Sequence, residues 1–287
     1  VAKEYAGNST PERALRMQSD WPDDWKDFLT RLFEVDPLES ALAASWARQT
    51  ATGTGNTLRF QPVPSVDHKP WNRTYWRKER IRVCLMQLAA RSAQRMKWAG
   101  KDQILALSAG NIIIFLSICH EVWEVLLRYQ RRDTKYEAQD PVRNGVDPTL
   151  QAVGIYTASS EWYEKITEQP NGDDRQRVVN VLGRHFRQRL LGDEALSYPG
   201  HNGFSLIIDE LKSKPSLAVF LNAAVDYGDL FDAPHTTKTR DRRQRTKWYL
   251  SPILSPFFQL PETHVKEPYY ATINDVLGWI EEAKVRL

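Results

Sequence analysis

Apolar residues recur at three- and four-residue spacing along much of the chain, which predicts helices for most of its length. In residues 17–33 the repeat is Trp25, Phe28, Leu29, Leu32 and Phe33, and Asp36-Pro37 then starts a second helix through Leu42 and Trp46. Residues 50–70 contain TATGTGN and QPVPSVDHKP, a connector dense in Gly, Thr and Pro, so a domain boundary is expected there. Residues 74–98 read as one amphipathic helix ended by Gly100. Ile81, Leu85, Leu88 and Ala89 make its apolar side, and Arg77, Lys78, Arg82, Arg91 and Arg95 populate the rest. Two helices follow, 101–107 and 111–128, split at Ser108-Ala109-Gly110, with Asn111 or Ser108 as the cap of the second. That second helix is apolar nearly all round at its start (Ile112, Ile113, Ile114, Phe115, Leu116), the pattern of a central core helix.

Residues 131–150 turn charged and then turn-rich, with Asn144-Gly145 and Asp147-Pro148, and read as a linker. A short helix over 157–168 points Trp162 and Ile166 inward. The next, 174–191, carries Arg175, Arg177, Arg184, Arg187 and Arg189. At about 100° per residue Arg177 and Arg184 share a side and Arg187 lies near Arg184, whereas Arg175 and Arg189 point the other way. GFSLIIDEL over 203–211 fits a strand or a helix start, and 272–285 closes the chain as a capped amphipathic helix. No internal repeat is visible.

Between these lies the segment YGDLFDAPHTTKTRDRRQRTKWYLSP, 227–252. Apolar flanks at Leu230-Phe231 and Trp248-Tyr249-Leu250 bracket Lys238, Arg240, Arg242, Arg243, Arg245 and Lys247, opposed only by Asp241. Like charges crowded onto one turn repel, and a polyanion offsets the cost by releasing its condensed counterions. The preceding residues 214–227 form a short helix with Leu217, Phe220, Leu221 and Ala224 on one face. Helix followed by basic hairpin is the pattern of a winged helix. The candidate phosphate contacts are therefore those six residues, with Arg184 and Arg187 as a second contact beside the hairpin. The helix 216–227 would approach a groove.

Composition narrows the classes. The chain has 287 residues, 41% of them hydrophobic, and ten tryptophans, which is a packed globular composition. Net charge is only +3, so the basicity is local and marks a site. Cys84 and Cys119 form no CxxC pair and are expected as reduced core residues of a cytoplasmic protein. The longest apolar run, 112–119, is too short to cross a bilayer, and no signal peptide is visible. The chain opens on Val1 instead of methionine, which fits a fragment, a processed product or a region of something longer. No catalytic constellation or metal site is legible. Gly53-Thr54-Gly55 and Gly100-Lys101 do not complete GxxxxGK[ST], and His120-Glu121 lacks the second histidine of HExxH. Glu161 and Glu164, one turn apart, read as surface charge.

The order of parts is similar to the lid and C-terminal region of origin-recognition-type AAA+ ATPases, particularly their divergent bacterial relatives. The residues that carry the resemblance are KERIRVCLMQLAARSAQ, LSAGNIIIFLSICHEVW with its Leu107-Ser108-Ala109-Gly110-Asn111-Ile112 element, and RTKWYLSPILSPFF. The resemblance implies a lid that transmits nucleotide state and a winged helix that grips duplex DNA. In such proteins an arginine after the Gly-Asn element often contacts nucleotide, whereas here Ile112 and Ile113 follow Asn111. The expected fold is mainly α: an N-terminal helical segment and connector (1–70), a helical lid-like domain and linker (71–150), and a winged-helix-like domain with a C-terminal helix (151–287). The expected function is duplex DNA binding as part of an ATPase assembly. The alternative is a protein-interaction or regulatory module that docks a partner through Trp248, Tyr249, Phe257 and Phe258. No cofactor is expected in this chain, and ATP with Mg would enter only through an ATPase domain supplied elsewhere.

Overall fold

A computed structural model describes residues 2–7, 9–53, 59–65, 68–132, 145–197, 201–235, 243–263 and 268–287. The chain is mainly helical with one small four-stranded sheet. It divides into two compact units, 1–96 with 188–200, and 97–187 with 201–287. The expected boundary at 70 therefore falls inside the first unit and the one at 150 inside the second.

The first unit contains helices α1 (Ala2–Ala6), α2 (Pro11–Leu15), α3 (Asp23–Val35), α4 (Pro37–Thr50) and α5 (Thr74–Arg91). Helix α3 starts later than its apolar pattern predicts, behind Pro22, with Asp23 and Asp24 complementing the positive end of the helix. Asp36 caps α4 as expected, accepting from the Leu38 and Glu39 N–H groups, with Pro37 at the first helical position. Tryptophans fill the core: Trp25 and Trp71 are fully buried, and the Trp46 ring lies 6.4 Å from Trp25 and 6.1 Å from Trp71. Both buried indoles keep a hydrogen bond, to the Gln61 carbonyl and to Glu39 Oε2. Gln61 comes from the Pro-rich connector and Trp71 directly follows it, so that segment is anchored in this core.

Helix α5 ends at Arg91, short of the predicted Gly100, because Ala93 takes a left-handed φ of 54°. Its buried face is also more polar than the pattern implied. Arg80 Nε donates to the Leu196 carbonyl, and Gln87 Nε2 donates to the Leu190 and Asp193 carbonyls. Arg91, expected on the exterior, donates to the Ala14 carbonyl and to Gln87 Oε1. These donors satisfy carbonyls at helix ends that would otherwise be orphaned.

The second unit begins with α6 (Lys101–Ser108), α7 (Ile112–Arg132), α8 (Pro148–Lys165) and α9 (Gly172–Gly192), whose residues from Gln188 on belong to the first unit. The break before α7 is as predicted: Ala109 and Gly110 are left-handed, and Asn111 Oδ1 accepts from the Ile113 and Ile114 N–H groups. Residues 133–144 of the expected linker lie outside the described residues, and its last residues already belong to α8, capped by Asp147. Helices α7 and α8 approach closely at Gly154, where an added Cβ would lie 2.5 Å from Val122 Cα. Only one stripe of α7 can use that contact, namely Ile114, Ile118, Glu121, Val122 and Leu126. The prediction of a helix buried all round fails here: Ile112 and Ile113 are each 64% exposed and Leu116 58%.

The same geometry corrects one cysteine. Cys84 is buried, and burial pushes its thiol up to about 12, whereas Cys119 lies on the open side of α7. A thiol reagent at mildly alkaline pH is expected to modify Cys119 in the native protein and Cys84 only after unfolding. Equal native labelling rates would contradict this packing.

The sheet closes the second unit. Strand β1 (Gly203–Ile207) leads into α10 (Ile208–Lys212) and α11 (Pro215–Asp226), followed by β2 (Leu230–His235) and β3 (Arg245–Leu250). Then come α12 (Ser255–Phe258), β4 (Tyr269–Tyr270) and α13 (Ile273–Glu282). Strand order is β2-β3-β1-β4; β3 is antiparallel to both neighbours, and β4 adds two parallel residues to β1. Phe204 stacks on Trp248 at 5.6 Å, and Trp279 of α13 meets Phe204 edge-on at 5.4 Å. A full capping box, Thr272 with Asp275, starts α13. No helix among the described residues is long and apolar enough to cross a membrane.

Candidate nucleic-acid interface

The β2–β3 ribbon is anchored at its base by buried apolar residues, Leu230 on β2 and Trp248, Tyr249 and Leu250 on β3. Its register runs from Leu230 opposite Leu250 to His235 opposite Arg245, so residues 236–244 connect the two strands. Lys238, Arg240 and Arg242, three of the predicted contacts, lie outside the described residues. Arg243 is described and half-exposed, and its Nη1 sits 3.2 Å from Glu210 Oε1 of α10. Lys247 is half-buried within β3.

Arg245 has a different role from the one its sequence neighbours suggested. It is 6% exposed; its Nε donates to Ser205 Oγ, and its Nη2 donates to the carbonyls of Ser205 and Ala271. The guanidinium carbon lies 5.0 Å from the Tyr270 ring centre. This arginine ties β3 to β1 and to the residue after β4, and its donors are spent inside the sheet.

The arginines of α9 divide in the same way. Arg184 is exposed and faces Glu282 at 3.8 Å, a loose surface pair. Arg187 is half-buried, donates to the Gln259 carbonyl, and is held down to about 10 by burial. Arg175, read as pointing away from Arg177 and Arg184, is 1% exposed. Its Nε lies 2.5 Å from Asp229 Oδ2, it also donates to the Pro170 carbonyl, and its guanidinium stacks 4.2 Å over the Tyr227 ring. Burial pushes the Asp229 carboxyl up, and the Arg175 hydrogen bond and charge pull it part of the way back. Asp229 stands just before β2, and its own carbonyl accepts from the Ser251 N–H just after β3. The pair therefore anchors the base of both ribbon strands to the first turn of α9. Sequence reading missed it because Arg175 and Asp229 are 54 positions apart. The available signal was a lone arginine beside Asp173 and Asp174 at a helix start, where a cation is otherwise unfavourable.

Helix α11 buries Leu217, Leu221 and Ala224 as predicted and exposes Ser216, Val219, Asn222 and Asp226. It carries no cation of its own; Lys214 stands at its N-cap.

A family model described as ORC-CDC6-like matches residues 32–269, from within α3 to the start of β4. The chain belongs to the ORC-CDC6-like family. Neither a curated protein nor a solved structure matches it. The match takes in the Gly-Asn element before α7 and the whole ribbon, so the resemblance to origin-recognition-type ATPases holds across both. Within this family member the position after Asn111 is an exposed isoleucine pair, and the arginine expected from the resemblance is absent.

Proposed function

We propose that this chain grips duplex DNA phosphates as the C-terminal part of an origin-recognition-type ATPase. In this reading α9, β1, α10, α11 and the β2–β3 ribbon make a winged helix, with residues 236–244 as the wing tip. The observation that carries it is the ribbon register, which runs to Arg245 and leaves Lys238, Arg240, Arg242 and Arg243 in the segment joining its two strands. The strand order β2-β3-β1 and the family match support it. Lys247 of β3 and the exposed Arg184 of α9 add cations, whereas Arg245 and Arg187 serve the frame through their internal hydrogen bonds. The exposed face of α11, which carries Asp226 and no cation, predicts affinity with little sequence preference. ATP and Mg belong, in this proposal, to an ATPase domain supplied elsewhere, since no phosphate-binding loop motif occurs in the sequence.

The test is duplex binding across a salt series, comparing the chain with a variant carrying Lys238, Arg240, Arg242 and Arg243 all changed to Ala. The variant is expected to lose about three to four units of slope in log K against log salt, near 0.9 per phosphate contact. Equal slopes would remove the ribbon from the DNA interface.

A second reading, a protein contact, loses the docking residues expected from the sequence, because Trp248, Tyr249 and Phe258 are buried; it rests on the open side of α7. Ile112, Ile113, Leu116 and Trp123 are all about half-exposed or more, with Leu105 of α6 and Val153 of α8 exposed as well. An apolar patch of that kind marks a protein contact, which fits membership of a larger ATPase assembly.

A further inference from the structure

The first unit carries a charged and aromatic surface that the ribbon reading does not use. Residues 68–82, HKPWNRTYWRKERIR, hold seven cationic or titratable-basic side chains around Trp71, Tyr75 and Trp76, with Glu79 as the sole acid. The fold sorts them into two sets. Trp71 is buried, Trp76 donates its indole N–H to Gln49 and lies under Arg80, and Arg77 pairs with Glu39. That set holds the unit together.

The other set faces out. Tyr75 is 85% exposed, more than any other large apolar or aromatic side chain among the described residues. Lys69, Arg73 and Lys78 are exposed too and form no ion pair among the described residues. A 3-10 turn (Pro70–Asn72) folds Lys69 back towards the start of α5. Lys78 is one helical turn after Tyr75, so the two share a face of α5. The first turn of α5 has no acidic residue and no side-chain cap. Cations at that end of a helix oppose its dipole, so the cluster is locally unfavourable without an anion.

We propose that this surface binds single-stranded nucleic acid, with a base stacked on Tyr75 and flanking phosphates on Lys69, Arg73 and Lys78. The ring selects this occupant. An acidic protein surface would neutralise the three cations but leave Tyr75 without a partner. Duplex bases are stacked on each other and offer no free face, whereas single-stranded bases stack on exposed aromatics regardless of sequence. The site lies within the first unit, and the ribbon belongs to the second.

The test is fluorescence anisotropy of the full chain with labelled oligothymidylate, an abasic oligonucleotide of the same length, and duplex DNA. Tyr75→Ala is expected to weaken oligothymidylate binding about tenfold, with Tyr75→Phe retaining it and circular dichroism unchanged. Binding of the abasic strand and of the duplex is expected to be insensitive to Tyr75→Ala. Changing Lys69, Arg73 and Lys78 to Ala should lower the single-strand salt slope by about two units, near 0.7 per phosphate. Oligothymidylate affinity unchanged in Tyr75→Ala would overturn the proposal, as would an equal loss for the abasic strand. Because the wing is read from duplex binding by the tip variant, failure of one site leaves the other standing.

Discussion

Changing Arg175 to methionine is expected to destabilise the second unit by about 3–5 kcal/mol, because it leaves the Asp229 carboxylate buried without its counter-charge. The residue is 1% exposed and its partner 2%, so no solvent screening softens the loss. Denaturant unfolding followed by tryptophan fluorescence measures it. The pH dependence has a definite sign. Burial holds the Asp229 carboxyl above its ordinary range, so the folded state keeps a proton that the unfolded state has already released. Stability from this group is therefore present at low pH and lost as pH rises from the unfolded pKa through the raised folded one. Removing Arg175 strengthens that tendency. The gap between Arg175→Met and wild type should narrow on acidification, as protonation discharges Asp229 in the variant and unpairs Arg175 in the wild type. A double variant, Arg175→Met with Asp229→Leu, should recover most of the loss, since an apolar pair of similar volume carries no desolvation cost. A single-variant loss below about 1 kcal/mol would mean the pair is open to water, contrary to its burial.

The second large effect is at Arg245. Arg245→Met removes three charge-assisted hydrogen bonds and leaves the Ser205 and Ala271 acceptors buried, at a cost of about 3 kcal/mol or more. The expected result is a lowered unfolding midpoint with an unchanged DNA salt slope under folding conditions. Arg243→Ala should show the opposite, a reduced slope with stability within about 0.5 kcal/mol of wild type, because its ion pair with Glu210 is at the surface. If Arg245→Met kept full stability and lost slope, the sheet hydrogen bonds would be wrongly assigned. This contrast decides how the wing is tested: an alanine at Arg245 would reduce binding by loosening the ribbon, whatever the tip does.

The locally encoded features were legible in the sequence. Asp36-Pro37, Asn111 and Thr272 start their helices as read, because a cap is satisfied by N–H groups two or three residues away. The strands of the ribbon and the buried face of α11 follow from spacing alone. The family was legible from the same scattered segments that the ORC-CDC6-like match spans. The sorting of charged residues was not. Arg175, Arg184 and Arg187 sit on one helix, and the projection that sets Arg175 apart does not say what each one meets: one is sealed against Asp229, one meets Glu282 loosely at the surface and one caps a distant carbonyl. Arg243 and Arg245 are two positions apart and do opposite work.

Sequence alone determined that this is a helical chain with a basic hairpin near its end, since helix period, caps and apolar flanks around a charged turn act over a few residues. Tertiary structure decided which cations are free to meet an anion, which side of α7 stays open, and that Tyr75 stands in solvent while its neighbour Trp76 is pinned by Gln49. Those outcomes depend on partners tens of residues away, and burial of an arginine turns on whether the fold brings it a carboxylate or a carbonyl, which no local pattern records.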